Sequence, residues 1–157
     1  MDKYPVTAPG FERLEAELKQ LKTVDRPAVI AQIAEAREHG DLSENAEYHA
    51  ARDKQSFLEG RIGELEAYVS RAEIVDLQQV NTDRIQFGAT VILLDLETDE
   101  TRKYQIVGEP EADIRENRLS LSAPISRALM GKGIGDDVEV NTPSGVRYYE
   151  VKNISYV

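Results

Sequence analysis

The chain has 157 residues, enough for one ordinary domain or two small ones. A formal net charge of −10 argues against a surface that mainly follows nucleic-acid phosphates, because that surface needs clustered Lys and Arg. The lack of cysteine excludes disulfides, thiolate zinc sites and cysteine nucleophiles. With no signal-peptide pattern and no apolar run of membrane-spanning length, we expect a soluble cytoplasmic protein that has no membrane contact.

The first predicted element is a long helix with one apolar face. Thr7 and Pro9 stand where an N-cap and a first-turn proline belong. An interior proline costs ~3 kcal/mol or more, so Pro27 predicts a kink near Arg26 in one continuing helix that Gly40 ends. The apolar seam, spaced by threes and fours, comprises Phe11, Leu14, Leu18, Leu21 and Val24, then Ile30, Ile33 and Ala34 beyond the proline.

The second predicted helix has the alternating three-four spacing of a coiled-coil seam. Because the link to the first helix is short, the two helices must run antiparallel. Some thirty residues per arm at ~1.5 Å each give a hairpin roughly 45 Å long. The residues of this second seam are Tyr48, Ala51, Gln55, Leu58, Ile62, Leu65, Val69 and Ala72.

Beyond the helices the apolar period becomes two, which predicts strands. The sum is an α+β protein: an N-terminal antiparallel helical hairpin, then a small antiparallel β domain with one short helix. The predicted strands are Ala89 to Leu96, Lys103 to Val107, Leu119 to Leu121, Asp137 to Asn141 and Arg147 to Ser155, with the helix at Pro124 to Met130. The first two strands are predicted to form one hairpin, and the last two a second hairpin around Pro143-Ser144-Gly145. The predicted divisions are an arm over 1–77 with its tip at 38–47, a linker over 78–84, and a globular domain over 85–157.

The most informative residues are two carboxylates at the predicted hairpin tip. Asp41 and Glu44 are three residues apart, so at the start of a helix their side chains would be neighbours on one face. Such a pair suits a hard divalent cation, Mg²⁺, provided another molecule supplies the remaining ligands. The simpler interpretation is helix capping, with Asp41 as N-cap and Glu44 at the third helical position. Both interpretations stay open at this stage.

Two arginines flank this acidic tip on opposite arms of the hairpin. Arg37 and Arg52 are either ordinary solvated helix charges or a small cationic patch that contacts a phosphate backbone.

The tip sequence resembles that of a known family. The run from Ala34 to Ala51 is similar to the tip of the bacterial Gre transcript-cleavage factors, and the resemblance extends over nearly the whole chain. Further agreement lies at Thr7 and Gly10, Leu14-Glu15-Ala16-Glu17-Leu18, Gly60-Arg61-Ile62 and Phe87-Gly88-Ala89-Thr90-Val91.

The resemblance implies a function without enzymatic activity of its own. Gre factors bind backtracked bacterial RNA polymerase, insert a coiled coil into its secondary channel and place an FKBP-like C-terminal domain on the channel rim. Asp41 and Glu44 match the tip residues that hold the second catalytic Mg²⁺, which is shared with the polymerase and not bound stably by the factor. The polymerase then hydrolyses the extruded RNA 3′ end.

The resemblance also assigns contact residues. Arg37 and Arg52 match a basic patch that touches the transcript. The stretch Ile106 through Met130 covers the surface thought to dock on polymerase, and the docking residues within it are Ala123, Pro124 and Ile125. Many members have Ser-Pro-Ile there, so Ala123 is a departure from the family pattern. A monomer is expected, because the hairpin has to enter a channel.

Three other functions compete with transcript cleavage. A channel-binding inhibitor of polymerase would share the architecture but carry altered tip residues, whereas Asp41 and Glu44 are both present. A proline isomerase or chaperone would need aromatic rings converging on a pocket, yet Tyr148 and Tyr149 are adjacent on a strand and must face opposite ways. A plain coiled-coil adaptor would leave the tip sequence without a role.

Overall fold

The computed structural model describes residues 3–40 and 45–157. These residues form two compact units, one made of 3–10 with 72–157 and the other of 11–40 with 45–71. Among the described residues, no helix combines the length and the apolar character that crossing a bilayer requires.

The unit of residues 11–71 is the predicted helical hairpin. Its contacts join the first arm to the second along the apolar seam. The elements are α1 (Ala8–Gln20, whose first turn belongs to the other unit), a π-helical turn (Leu21–Asp25), α2 (Arg26–Arg37) and α3 (Ala46–Arg71).

A π turn, where the sequence predicts a kink, accommodates the interior proline. The Arg26 N–H donates to the Leu21 carbonyl, five residues back, and Pro27 follows in the first turn of α2. The wider turn takes up an extra residue and changes which side chains face α3. The predicted seam positions Val24 and Ile30 are therefore wrong, since each is 51% exposed. Ala34 is exposed as well, and the buried residues of α2 are Val29, Ile33 and Ala36.

The α3 seam follows the prediction. Its buried residues are Ala51, Leu58, Ile62 and Leu65. Val29 and Ile33 of α2 pack with the first three, and Leu18, Leu21 and Tyr48 cover them in part.

Ion pairs link the arms of the hairpin along its exposed flanks. Arg26 donates to both carboxylate oxygens of Glu59, at 2.8 and 2.9 Å, and this hydrogen bond lowers the pKa of Glu59. Arg61 of α3 binds Glu17 of α1 at 2.8 Å. These ion pairs join the two arms on either side of the narrow apolar seam.

The other unit contains a curled five-stranded sheet and a small separate sheet. The separate sheet pairs β1 (Tyr4–Val6) in parallel with β2 (Ala72–Ile74), a pairing that the sequence analysis missed. The large sheet has the order β5-β4-β3-β7-β6. Its strands are β3 (Thr90–Asp95), β4 (Thr101–Val107), β5 (Arg118–Ser120), β6 (Asp137–Thr142) and β7 (Gly145–Ser155), and α4 is Pro124–Leu129.

The sheet confirms the predicted α+β class but is mixed. The predicted hairpins β3–β4 and β6–β7 are antiparallel, whereas β5 runs parallel to β4. Two 3₁₀ turns, Glu109–Glu111 and Ile114–Glu116, carry the chain back between those two strands. The core consists of nine buried residues, Ile85, Ala89, Val91, Leu93, Ile106, Leu129, Val138, Val140 and Val151. A 3₁₀ turn at Leu77–Gln79, with Asp76 as its cap, overlaps the segment predicted as a linker.

The N-cap of α1 is held by a residue more than a hundred positions away in the chain. Thr7 is the N-cap, as predicted, and its Oγ1 accepts from the Gly10 N–H at 3.1 Å. In a capping box the third helical residue would bind the N-cap N–H, but here that residue is glycine. The buried carboxylate of Glu111 replaces it by accepting from the Thr7 N–H at 2.9 Å and from Thr7 Oγ1 at 2.6 Å. A side chain at Gly10 would overlap with Glu111.

Candidate functional site

The predicted tip lies between the end of α2 at Arg37 and the start of α3 at Ala46. Asp41 and Glu44, the predicted metal ligands, fall outside the described residues. Within 3–40 and 45–157, no three His, Asp or Glu side chains are grouped so as to hold a metal ion. The described parts of the site are therefore the two helix ends from which the tip begins.

Asn45 is the N-cap of α3. Its Oδ1 accepts a hydrogen bond from the backbone N–H of Tyr48, the third residue of the helix, at 3.0 Å. That is the geometry of a side-chain N-cap, and Asn is among the residues that favour the position. The capping interpretation offered for Asp41 and Glu44 is therefore wrong for α3.

The same Asn45 side chain also binds the other arm. Its Nδ2 donates to the backbone carbonyl of Ala36, in the last turn of α2, at 2.6 Å. That carbonyl also accepts from the His39 N–H at 3.1 Å. One amide group thus adds a second hydrogen bond to a C-terminal carbonyl of one helix and satisfies an N-terminal N–H of the next, which has no intrahelical partner.

A second contact lies beside this amide and again joins α2 to α3. The Arg37 guanidinium carbon is 5.9 Å from the centre of the Tyr48 ring, within the range of a cation–π interaction. The Tyr48 ring also meets the His49 ring edge-on, with ring centres 5.5 Å apart. Ala36 and Ala51 are buried nearby, so the arms approach closely below the tip.

The structure brings the two predicted basic residues together. Arg37 of α2 and Arg52 of α3 line one surface depression of about 230 Å³ on the hairpin. The exposed side chain of Ile30 lines it as well, which gives the depression an apolar part beside two cations. Such a surface can bind a phosphate electrostatically while covering part of a base or sugar.

The predicted docking residues lie where β5 leads into α4. Ala123 is the N-cap residue of α4, Pro124 occupies its first turn and is exposed, and Ile125 packs partly against the sheet core. The Ala123 N–H donates to the Ser120 carbonyl at 3.0 Å, which closes the connection.

Sequence reasoning missed the polar network that supports this connection. The hydroxyls of Ser120 and Ser122 both donate to Oε2 of Glu109, at 2.9 and 3.0 Å, and lie 2.8 Å from each other. The alternating Ser-Leu-Ser pattern that starts at the end of β5 signals two hydroxyls near each other, but only the fold brings Glu109 to them. Ile114, which is 64% exposed, lies in the turn just before β5.

Comparison with known proteins gives the family. A family profile described as "Transcription elongation factor, N-terminal" matches residues 4–74, and one described as "Transcription elongation factor, GreA/GreB, C-term" matches residues 79–156. The chain belongs to the GreA/GreB family of transcription elongation factors. Both halves of the GreA/GreB pattern are thus present, the first over the helical hairpin with β1 and β2 and the second over the remainder of the sheet unit.

Individual relatives agree over the full length. A curated protein of Cereibacter sphaeroides named "Transcription elongation factor GreA" is 62% identical over 157 residues, covering 100% of both chains. One of the same name from Phenylobacterium zucineum is 55% identical with the same coverage. Both names are of the GreA type. Among solved structures, "Structure of the transcription factor Gfh1" is 28% identical, covers 98% of this chain and 99% of that one, and has a TM-score of 0.48.

Proposed function

We propose that this GreA/GreB-family protein stimulates transcript cleavage by bacterial RNA polymerase. In this proposal the helical hairpin enters the secondary channel, and Asp41 and Glu44 reach the polymerase active centre beside the backtracked RNA 3′ end. The observation that carries the proposal is the cap of α3. Because the Asn45 side chain fulfils the capping role, the two carboxylates are not needed to begin that helix.

The chemistry of the two residues suits Mg²⁺. The ion prefers oxygen ligands, keeps several waters and is commonly held by one or two carboxylates plus substrate phosphates. When bound, it would stabilise the attacking and leaving oxygens of a hydrolytic displacement. Asp41 and Glu44 would hold it only together with polymerase groups. The factor itself then binds no metal stably and is not an enzyme.

The basic depression supports a contact with the transcript. Arg37 and Arg52 lie on one face below the tip, next to exposed Ile30. A nucleic-acid contact of this kind weakens with salt, because each neutralised phosphate releases condensed counterions. The remaining surface is acidic overall, which limits non-specific binding to nucleic acid.

The sheet unit supports docking on the channel rim. Pro124 and Ile114 are exposed, and the hydroxyl–carboxylate network of Glu109, Ser120 and Ser122 supports the connection that carries Pro124. The Ala123 N–H makes a backbone hydrogen bond within this connection, and Ile125 is partly buried against the sheet core. We assign the polymerase contact to this surface, with a monomeric factor.

An isomerase function has less support. Tyr148 is 45% exposed, while Tyr149 packs against the sheet core, so the two rings face opposite ways as predicted. Tyr104 and Tyr156 also pack against that core, and the Tyr156 hydroxyl accepts from the Gln86 N–H at 3.1 Å. These rings contribute to packing and do not line an open pocket together.

The decisive experiment adds the purified protein to stalled, backtracked elongation complexes in Mg²⁺. We expect shortened transcripts with the wild type and at least a tenfold slower reaction with Asp41→Asn or Glu44→Gln, equal to about 1.4 kcal/mol of transition-state stabilisation. Glu38→Gln and Glu47→Gln are matched controls, because each also removes one exposed carboxylate near the tip. Wild-type rates in the tip variants, or equal losses in the controls, would contradict the proposal.

A further inference from the structure

A described residue directly next to the tip carboxylates in the chain makes an unusual pair of contacts. Asn45 follows Glu44 directly, and its amide binds the Ala36 carbonyl of α2 and the Tyr48 N–H of α3 at 2.6 and 3.0 Å. An N-cap needs only the acceptor oxygen. The Nδ2 donor of the amide therefore has a role besides capping, which is its hydrogen bond to Ala36.

Few side chains can perform both tasks from this position. An amide carries two N–H donors and a carbonyl acceptor, whereas a carboxylate only accepts and a serine hydroxyl is shorter. Asp and Ser cap helices about as well as Asn. Neither of them, however, retains the bond from position 45 to the Ala36 carbonyl.

The bond to Ala36 fixes the base of the tip. It joins the last turn of α2 to the residue that precedes α3, and the Arg37–Tyr48 contact joins the helices again one residue further along α2. The eight residues between Ala36 and Asn45 thus begin and end at points tied to each other. A tie of this kind reduces the conformational freedom of the connected segment.

We infer that Asn45 is a positioning residue for the proposed cleavage reaction, acting through its bond to the Ala36 carbonyl. The inference rests on the proposed function of Asp41 and Glu44. Asn45 is not a metal ligand here. It holds the base from which the two carboxylates extend, so that less conformational entropy is lost when they bind an ion in the polymerase. Effective positioning of this kind contributes to the rate through entropy already lost before the reaction.

The test compares Asn45→Ser with the wild type in the cleavage assay. Serine keeps the cap, but its side chain is too short to donate from position 45 to the Ala36 carbonyl. We expect the cleavage rate at saturating factor to fall about tenfold, and the Mg²⁺ concentration for half-maximal rate to rise. The factor concentration for half-maximal rate should stay unchanged, because docking does not involve Asn45. Wild-type rate and wild-type Mg²⁺ dependence in Asn45→Ser would overturn the inference.

Ala67→Gly is the matched control for helix stability. Ala67 is an exposed residue of α3 distant in sequence from the tip, and glycine there weakens the helix without touching the amide. Normal cleavage by Ala67→Gly supports a positioning role for Asn45. An equal loss in both variants would instead assign the effect to general helix weakening and overturn the inference.

A second measurement separates this inference from the proposed function. The chain has no cysteine, so spin labels attach only at the positions introduced by Glu35→Cys and Glu47→Cys. These two residues line the same surface depression from opposite arms. We expect the distribution of label distances in the free protein to widen in Asn45→Ser but not in Ala67→Gly. A wild type that fails to cleave would refute the proposed function, while this broadening would still support the tie. An unchanged distribution would overturn the tie itself.

Discussion

The helical hairpin and the sheet unit bury apolar residues in different ways. The sheet unit encloses nine buried residues from four strands, the neighbouring chain and α4 in one cluster. Six of them are fully inaccessible: Ala89, Val91, Leu93, Ile106, Leu129 and Val151. The hairpin cluster has five buried residues along a seam between two helices, next to exposed ion pairs. A sheet with a helix against it surrounds a side chain, whereas two helices cover it from one side. The comparison teaches that the same substitution should cost different amounts in the two regions.

The largest expected effect tests this directly with two Leu→Ala substitutions. Leu93→Ala should lower the free energy of unfolding by about 4 kcal/mol, because its fully enclosed site cannot collapse around the cavity. Leu58→Ala should cost about 2 kcal/mol, because Leu58 is 8% exposed and the helices can close in part on the space. Native-state hydrogen exchange of amides in β3 and α3 measures the two separately. Equal losses would contradict the comparison.

The next effect concerns the remote cap of α1. Glu111→Gln should destabilise the sheet unit by about 2 kcal/mol, because two buried donors of Thr7 now share a single acceptor oxygen and the charge-assisted bonds are lost. Glu116→Gln, which removes an exposed carboxylate from the same connection, should stay within about 0.5 kcal/mol of wild type. Denaturant unfolding compares the variants, and similar midpoints would refute the structural role of Glu111.

A pH effect follows from the turn after β3. The backbone N–H of Glu97 lowers the pKa of Asp95 below its ordinary value of 3.8, although desolvation acts against it, and the Thr98 N–H and Arg147 add to the lowering. Because the folded-state pKa is depressed, the stabilisation is present above pH 3.8 and is lost as the pH falls through the folded value.

Asp95→Asn should therefore flatten the acid limb of the stability curve. The difference in unfolding midpoint between neutral pH and the region below the ordinary pKa should be smaller in the variant than in the wild type. Asp99→Asn, which removes an exposed carboxylate from the same turn, is the control that should keep the wild-type slope. Identical slopes in wild type and Asp95→Asn would be evidence against this role of Asp95.

The smallest effect belongs to the ion pairs of the hairpin. Arg61→Gln should cost less than about 1 kcal/mol, since the pairs with Glu17 and Glu64 are largely exposed and are screened by salt. The difference from wild type should disappear in molar salt. A larger loss of stability that persists in high salt would mean that these ion pairs contribute more to the hairpin than exposed, salt-screened pairs do.

Local patterns of the sequence predicted most of the elements. The α3 seam from Ala51 to Leu65 and the β6–β7 hairpin around Pro143, Ser144 and Gly145 appear as predicted, because a period of 3.6 or 2 and a turn sequence act over a few neighbouring residues. The α2 seam was displaced because the π turn before Pro27 changed the register. The parallel β4–β5 pair was missed because its partners are joined by irregular turns with no periodic signal.

For the candidate site, the sequence predicted the position of the tip and the nearness of Arg37 and Arg52, which line one depression. The roles of Asp41 and Glu44 stay predictions. The capping interpretation, which the sequence left open beside metal binding, named the wrong residue for α3, because Asp and Asn have nearly equal preference for that position. Spacing alone cannot choose between Asp41 and Asn45.

By itself the sequence determined the helical periods, the turn residues, the acidic balance and the family, all of which depend on local order or on composition. Only the tertiary structure decided that Glu111 caps α1, that Glu109 supports the docking connection, and that Asn45 ties α2 to α3. Each of these is a hydrogen bond between groups that chain folding brings together. Their partners are fixed by the packing of whole elements, and that packing leaves no short-range trace in the sequence.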